Sequence, residues 1–262
     1  MPKLLSYPQA IVFILDFLAR FRQVQNQLEV LANFIATLRQ YANNEAFVND
    51  LFRQPEFDAI EFKQTCLIAE CLLEKAMAKS VINGDTQALD QRMEKAWPSH
   101  AIEAAILKEC SNKVFILGSG AIPLSAMIYY ESHQLQVTCI DYDGDAITLS
   151  QSVVKKRYGS ETAKQHFHFV QQNAMDLTIE EKDPLGLTLA SHCENKVSLL
   201  NHCKHQIAQY SRIICRSPKL LYQFIYGPLD WNTVNGYRQI SNPNWGLTES
   251  PVLLPSTVLE RY

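Results

Sequence analysis

The stretch from Lys113 to Gly120 (KVFIL-GSG) limits the fold of this chain more than any other. A short apolar run that meets glycines with no polar spacer is a buried strand ending in a tight turn. An apolar helical stretch follows at Leu124–Tyr130, then a second strand, Gln136–Ile140, which ends in Asp141. Beyond it the pattern predicts a helix over Ala146–Tyr158 and strands over Phe167–Gln171 and Leu187–Ala190. A helix over Glu194–Ala208 and a strand over Arg212–Arg216 complete the alternation. Strands and helices taking turns in this way wind a parallel sheet with helices packed on it. The tail, Tyr237–Leu254, holds Ser241-Asn242-Pro243-Asn244 between two extended runs and reads as a closing β-hairpin.

Before Asn112 the texture is helical. Apolar residues recur at Ile14, Phe17, Phe21, Val24, Leu28, Leu31, Phe34 or Ile35, and Leu38, a period of about 3.5 that predicts one long helix. Further helices are expected over Asn44–Arg53, Phe57–Lys79 (broken at Asn83-Gly84-Asp85) and Gln87–Ala96. Pro98 is expected to end the last of these or open the next, which carries Ile102–Lys108. The expected organisation is a helical bundle over residues 1–110 and a sheet domain over 111–262. The apolar Ala10–Leu18 is interrupted by Asp16, followed by Arg20 and Arg22, and far shorter than the ~20 residues of a membrane span. No membrane association is expected, and the chain reads as cytoplasmic. With a net charge of −3 and no basic stripe, no nucleic-acid partner is expected, and a small molecule is the natural ligand. Seven scattered cysteines without a CxxC pair read as reduced thiols. The N-terminal repeat is also compatible with a homodimer, although packing within the bundle accounts for it.

Three features fall at the carboxyl ends of consecutive strands, where open α/β sheets bind ligands. Gly118-Ser119-Gly120 lets backbone approach a ligand closely, and the helix after it offers unpaired N–H groups. Asp141 ends the second strand, where an acid accepts both ribose hydroxyl hydrogens. Asn173-Ala174-Met175-Asp176 follows the third strand, where such domains set a polar group against an adenine edge. A GxG alone is as often an ordinary turn, so the weight rests on the three together. Pro123 stands where GxGxxG would need its last glycine, which disfavours NAD and is compatible with S-adenosylmethionine. The resulting class is α/β, a Rossmann-like class I methyltransferase domain with an N-terminal helical cap. Asp143 is counted with the cofactor site, yet Asp143 and Asp145 would equally cap the next helix. Ser191, after the fourth strand, is a further cofactor candidate.

These residues resemble a known family, the nicotianamine synthases and their bacterial relatives that make opine-type metallophores. Ala69-Glu70-Cys71-Leu72-Leu73-Glu74 is similar to the family's A-E-x-L-L-E helix, and Phe115–Ser125 to its F-V-G-S-G-P-L-P-L-T segment. Ile140-Asp141-Tyr142-Asp143 resembles its Y-D-I-D. Arg216-Ser217 with Phe224-Ile225-Tyr226 and Pro228 resembles its R-S…F-L-Y-P. The family moves the 3-amino-3-carboxypropyl group of S-adenosylmethionine onto an amine and releases methylthioadenosine. The resemblance implies an amino-acid substrate, Glu74 as the base that deprotonates its amine, and Glu70 beside it as a substrate-binding residue. From helical spacing alone, Glu74 would sooner be a solvated flank paired with Lys75 or Lys79. Arg216 could grip a substrate carboxylate or form an ordinary salt bridge, and Tyr226 could donate to that carboxylate or pack on the sheet.

The chain departs from the family in two places. The family's N-Y motif is replaced by Ala96-Trp97-Pro98-Ser99-His100, so Trp97 or His100 is the candidate for the tyrosine's role. The family's second arginine aligns with Tyr222. Both changes concern the acceptor more than the cofactor. Loss of acceptor-side groups would also fit a cyclase that closes azetidine-2-carboxylate, and conventional methyl transfer or a non-enzymatic interaction protein are further readings. No metal site is expected: His192, Cys193, His202, Cys203 and His205 lack ligand spacing, and His166 and His168 alternate with phenylalanines on a strand.

Overall fold

In the computed structural model, which describes residues 5–179, 182–190, 193, 195–216, 220–226, 234, 236–240 and 256–262, the first apolar repeat makes two helices, not one. α1 (Tyr7–Val24) and α2 (Leu28–Tyr41) are separated by the polar Gln25-Asn26-Gln27. They fold back on each other, because the Phe17 and Phe34 rings stack with centroids 3.9 Å apart. Along one straight helix those residues would be roughly 25 Å apart. α3 (Glu45–Phe52) is capped by Asn44, and α4 (Ala59–Ile82) by Asp58, whose carboxylate accepts from the N–H groups of Ile60 and Glu61.

α5 (Gln87–Lys108) corrects the expected break, because it runs straight through Pro98. Proline removes the bond to the carbonyl four residues back. Here that carbonyl belongs to Glu94, an exposed residue whose backbone can bond water, so the helix continues.

Among the described residues one sheet holds the remaining strands in the order β3-β2-β1-β4-β5-β7-β6. β1 (Lys113–Leu117), β2 (Gln136–Asp141), β3 (Phe167–Gln171), β4 (Gly186–Leu189) and β5 (Arg212–Arg216) are parallel. β7 (Ser256–Arg261) runs antiparallel between β5 and β6 (Tyr237–Ile240). The expected closing pair therefore exists, but its second strand lies beyond Leu254; Val258 and Leu259 bury on opposite faces and commit it to the sheet. α6 (Leu124–His133), α7 (Gly144–Tyr158), α8 (Ser160–His166), α9 (Lys196–Cys203) and α10 (Leu220–Tyr226) make the connections. α9 is shorter than the expected Glu194–Ala208. No described helix is long and apolar enough to cross a membrane.

The core does not divide at residue 110. Phe62, Cys66 and Ala69 of α4 pack with α1, α2, α3 and α10, whereas Ala78 and Val81 of the same helix pack with α5, α6 and the sheet. Ala104, Ile106 and Leu107 of α5 share that second cluster with β1. A fully buried phenylalanine or valine, such as Phe62 at one end of α4 and Val81 at the other, contributes about 1.5–3 kcal/mol, so both ends are held. Its middle, residues 70–77, is half-buried or exposed, and Glu74 there reaches Ala121, just after the turn that ends β1.

Candidate functional site

The strand order reverses between β1 and β4, which opens a crevice at the carboxyl ends of the strands. The turn after β1 lies in that crevice. Gly118 (φ +75°) and Gly120 (φ +69°) are in the left-handed region that only glycine adopts without strain. The N–H groups of Gly118 and Ser119 both donate to the Ile140 carbonyl, at 2.8 and 3.1 Å, which ties the turn to β2. Asp141 completes the tie: its Oδ2 accepts from Gly120 N at 2.9 Å and its Oδ1 from Asp143 N at 3.0 Å. Each carboxylate oxygen keeps a further lone pair for a hydroxyl.

The turn has no room for side chains. A Cβ on Gly118 would lie 3.0 Å from Cys193 Sγ, and one on Gly120 would overlap Glu74 Oε2. The Ser119 hydroxyl is buried without a hydrogen-bond partner among the described residues. Pro123 caps α6 just beyond the turn. Asn173 caps the 3-10 turn Ala174–Asp176, accepting from Met175 N at 3.0 Å. Tyr142 and Met175 leave 77% and 41% of their surface exposed, which provides apolar area near Asp141 and Asn173. A bare glycine cradle, an unpaired buried hydroxyl and an acid with lone pairs to spare fit the nucleoside and tail of S-adenosylmethionine.

Glu74 comes to this cradle from α4. Its Oε2 accepts from Ala121 N at 3.1 Å, and its Oε1 lies 3.5 Å from Arg92 Nη2 on α5. The carboxylate is not a solvated flank, since the side chain is only 17% exposed. The neighbouring Lys75 pairs with Asp143 Oδ2 at 2.7 Å instead. Asp143 also caps α7, accepting from Asp145 N and Ala146 N. Burial alone would raise its pKa, but Lys75 and those N–H groups outweigh it and hold the carboxyl below its usual range. Glu70 diverges from Glu74: its charge acts on Cys66 and Tyr222, on the side of α10.

Arg216 is placed differently from the expectation of a substrate grip. Its guanidinium is turned inward, with Nε 3.1 Å and Nη2 2.6 Å from the two oxygens of Glu103, and Nη2 2.9 Å from Ser125 Oγ. Burial works against its charge, but Glu103 and Tyr129 outweigh that and keep it protonated. The Nε–Nη2 edge of the fork is therefore taken by Glu103 and Ser125. His100 is buried beside this group, with Nδ1 3.0 Å from Ser99 Oγ. Trp97 is on the exposed side of α5. The Tyr226 backbone ends α10, but its side chain lies outside the described residues, as does Ser191. Among the described residues no cluster of His, Cys, Asp or Glu could hold a metal ion.

Burial, followed by the charge of Arg216, pushes the His100 pKa from 6.5 down to about 4. The folded chain therefore holds His100 neutral where the unfolded chain protonates it. The unfolded state binds more protons between those two values, so stability falls as pH drops through that window. The full gap is worth roughly 3 kcal/mol. Urea titrations from pH 7 to pH 4 should show His100→Asn losing less stability than the parent by about that amount. Parallel profiles would mean that His100 is not buried in this way.

Arg92, Lys75 and Glu103 were not singled out from the sequence as site residues. A signal existed for two of them, because Arg92, Ala96, Ser99, His100 and Glu103 form one stripe of α5 at helical spacing. Breaking the helix at Pro98 hides that stripe.

Comparisons with known proteins bear on the family and the fold. The family model described as nicotianamine synthase protein matches residues 99–248. No curated protein matches in sequence. Among solved structures, MtNAS in complex with MTA and tNA is similar at a TM-score of 0.74 and 16% identity, covering 99% of this chain and 100% of that one. A point mutant of MtNAS in complex with S-adenosylmethionine is similar at a TM-score of 0.71 and 15% identity, covering 99% of both chains. At this level of identity the likeness establishes a shared fold.

Proposed function

Because this chain belongs to the nicotianamine synthase family, we infer that it transfers the 3-amino-3-carboxypropyl group of S-adenosylmethionine to an amine and releases methylthioadenosine. The acceptor in this reading is an amino acid, and the product is a nicotianamine-like metal chelator made in the cytoplasm. One observation carries the assignment of roles: the Glu74 carboxylate, brought by a helix outside the sheet, is hydrogen-bonded to the turn that Asp141 holds from below.

S-adenosylmethionine supplies a sulfonium with three electrophilic carbons, of which the methyl is the least hindered. What the chain must supply is selection and a proton acceptor. Gly118, Ser119 and Gly120 would hold the cofactor by close backbone approach, Asp141 would take the ribose hydroxyls, and Asn173 to Met175 would border the base. Glu74 would take the proton of the acceptor ammonium, because an amino-acid amine is protonated at neutral pH and is no nucleophile in that form. The N–C bond then forms as the C–S bond breaks, the electron pair leaves with sulfur, and the proton stays on Glu74. Choosing one carbon of three is a matter of holding the amine in line with it, which is a positioning effect.

The test is to incubate the purified chain with S-adenosylmethionine, alone and with a panel of amino acids, and to identify the nucleoside product by mass spectrometry. Methylthioadenosine that requires an acceptor is the expected result. Methylthioadenosine formed alone would assign the attack to the cofactor's own amine and make the chain a cyclase. S-adenosylhomocysteine would mean methyl transfer and would sink the mechanism.

A further inference from the structure

Arg216, the residue best placed by sequence to anchor a carboxylate, is spent on Glu103. An amino-acid substrate still needs a cation for its carboxylate, and one cation stands at the base itself. Arg92 lies on α5, with its side chain 39% exposed and Nη2 3.5 Å from Glu74 Oε1 on α4. Among the described residues Glu74 is its only ion-pair partner. A charge-assisted N–H···O bond is normally ~2.7–2.9 Å, so this contact is loose and the planar fork keeps donors for another oxygen pair. Arg92 shares one stripe of α5 with Ala96, Ser99, His100 and Glu103 at helical spacing.

We propose that Glu74 and Arg92 form a single clamp for an α-amino acid, Glu74 taking the amine and Arg92 the carboxylate borne on the same carbon. The chemistry of the ligand asks for this arrangement. Amine and carboxylate share one carbon, so the groups that recognise them must be neighbours, and these two side chains are neighbours across a helix pair. Arg92 is a specificity residue in this reading: it selects amino acids over plain amines. The proposal rests on Glu74 as the base of the transfer.

The experiment compares the parent chain with Arg92→Ala and Arg92→Lys, using an amino acid and its decarboxylated amine as acceptors and following methylthioadenosine. Calorimetry of S-adenosylmethionine without acceptor forms a separate arm. Losing a charge-assisted pair should raise the acceptor KM on the order of 100-fold for the amino acid and leave the amine unchanged, so that the preference between them collapses. Lysine should restore only part of it, because an ammonium cannot reproduce the fork. If the carboxylate belongs to S-adenosylmethionine, the calorimetric Kd weakens instead and the clamp holds the donor. Unchanged preference with unchanged calorimetry, or a fall in kcat shared by both acceptors, would overturn the proposal and leave Arg92 as a group that tunes Glu74. If the parent chain forms no methylthioadenosine with any acceptor, the transferase reading has failed, and the clamp is then decided by calorimetry of the amino acid and its amine, whose difference in Kd should vanish in Arg92→Ala and whose equality in the parent would overturn it.

Discussion

Glu74→Gln should lower methylthioadenosine formation by roughly 10²- to 10⁴-fold, the range that a positioned general base contributes. The amide keeps the shape of the side chain and an oxygen to accept from Ala121 N, so the turn over which it sits should be undisturbed. S-adenosylmethionine affinity, measured by calorimetry, should therefore stay within a few-fold of the parent. The loss belongs in kcat, read from single-turnover release of methylthioadenosine at saturating acceptor. A variant that turns over within tenfold of the parent would remove Glu74 from the role of base, wherever its carboxylate lies. A large loss of cofactor affinity would instead make Glu74 part of the cradle.

The second large effect concerns stability. Arg216→Leu removes the guanidinium paired with the Glu103 carboxylate, which is 1% exposed and accepts from Tyr129 at 2.8 Å. Breaking a buried pair from one side costs roughly 3–5 kcal/mol. For a chain of this size that lowers Tm by roughly 10 °C. Arg216→Leu combined with Glu103→Leu should recover most of that loss, since apolar replacement of a buried pair is often neutral. The double variant should also keep a near-normal acceptor KM. A single variant within 1 kcal/mol of the parent (about 2–4 °C) would contradict the internal ion pair. A folded double variant with a strongly raised acceptor KM would return Arg216 to the substrate.

How far the sequence could be read follows from how local each feature is. The β1 strand, its glycine turn and Asp141 at the end of β2 are legible because a buried strand and a tight turn are written in neighbouring residues. Glu74 is not legible in that way. Its helical flank contains Lys75 and Lys79 within easy reach, and only the family resemblance turned it toward the cleft. The structure shows why spacing misled: Lys75 reaches across to Asp143, a partner in another element. Arg216 and Glu103 are 113 residues apart, so no local pattern announces that pair. Pro98 is the instructive error, because a rule about proline is conditional on what its missing bond exposes.

Helix α4 also bears on how such a chain can diverge. Its early turns are committed to one hydrophobic cluster and its late turns to another, while Glu74 and Lys75, adjacent in between, grip two different loops. Each residue in a helix turns the next by about 100°. A one-residue insertion or deletion within it would swing one buried face out of place and part both grips at once. Loop lengths elsewhere are free to drift over generations, whereas this helix keeps count, and lineages of the fold should differ along it by substitution alone.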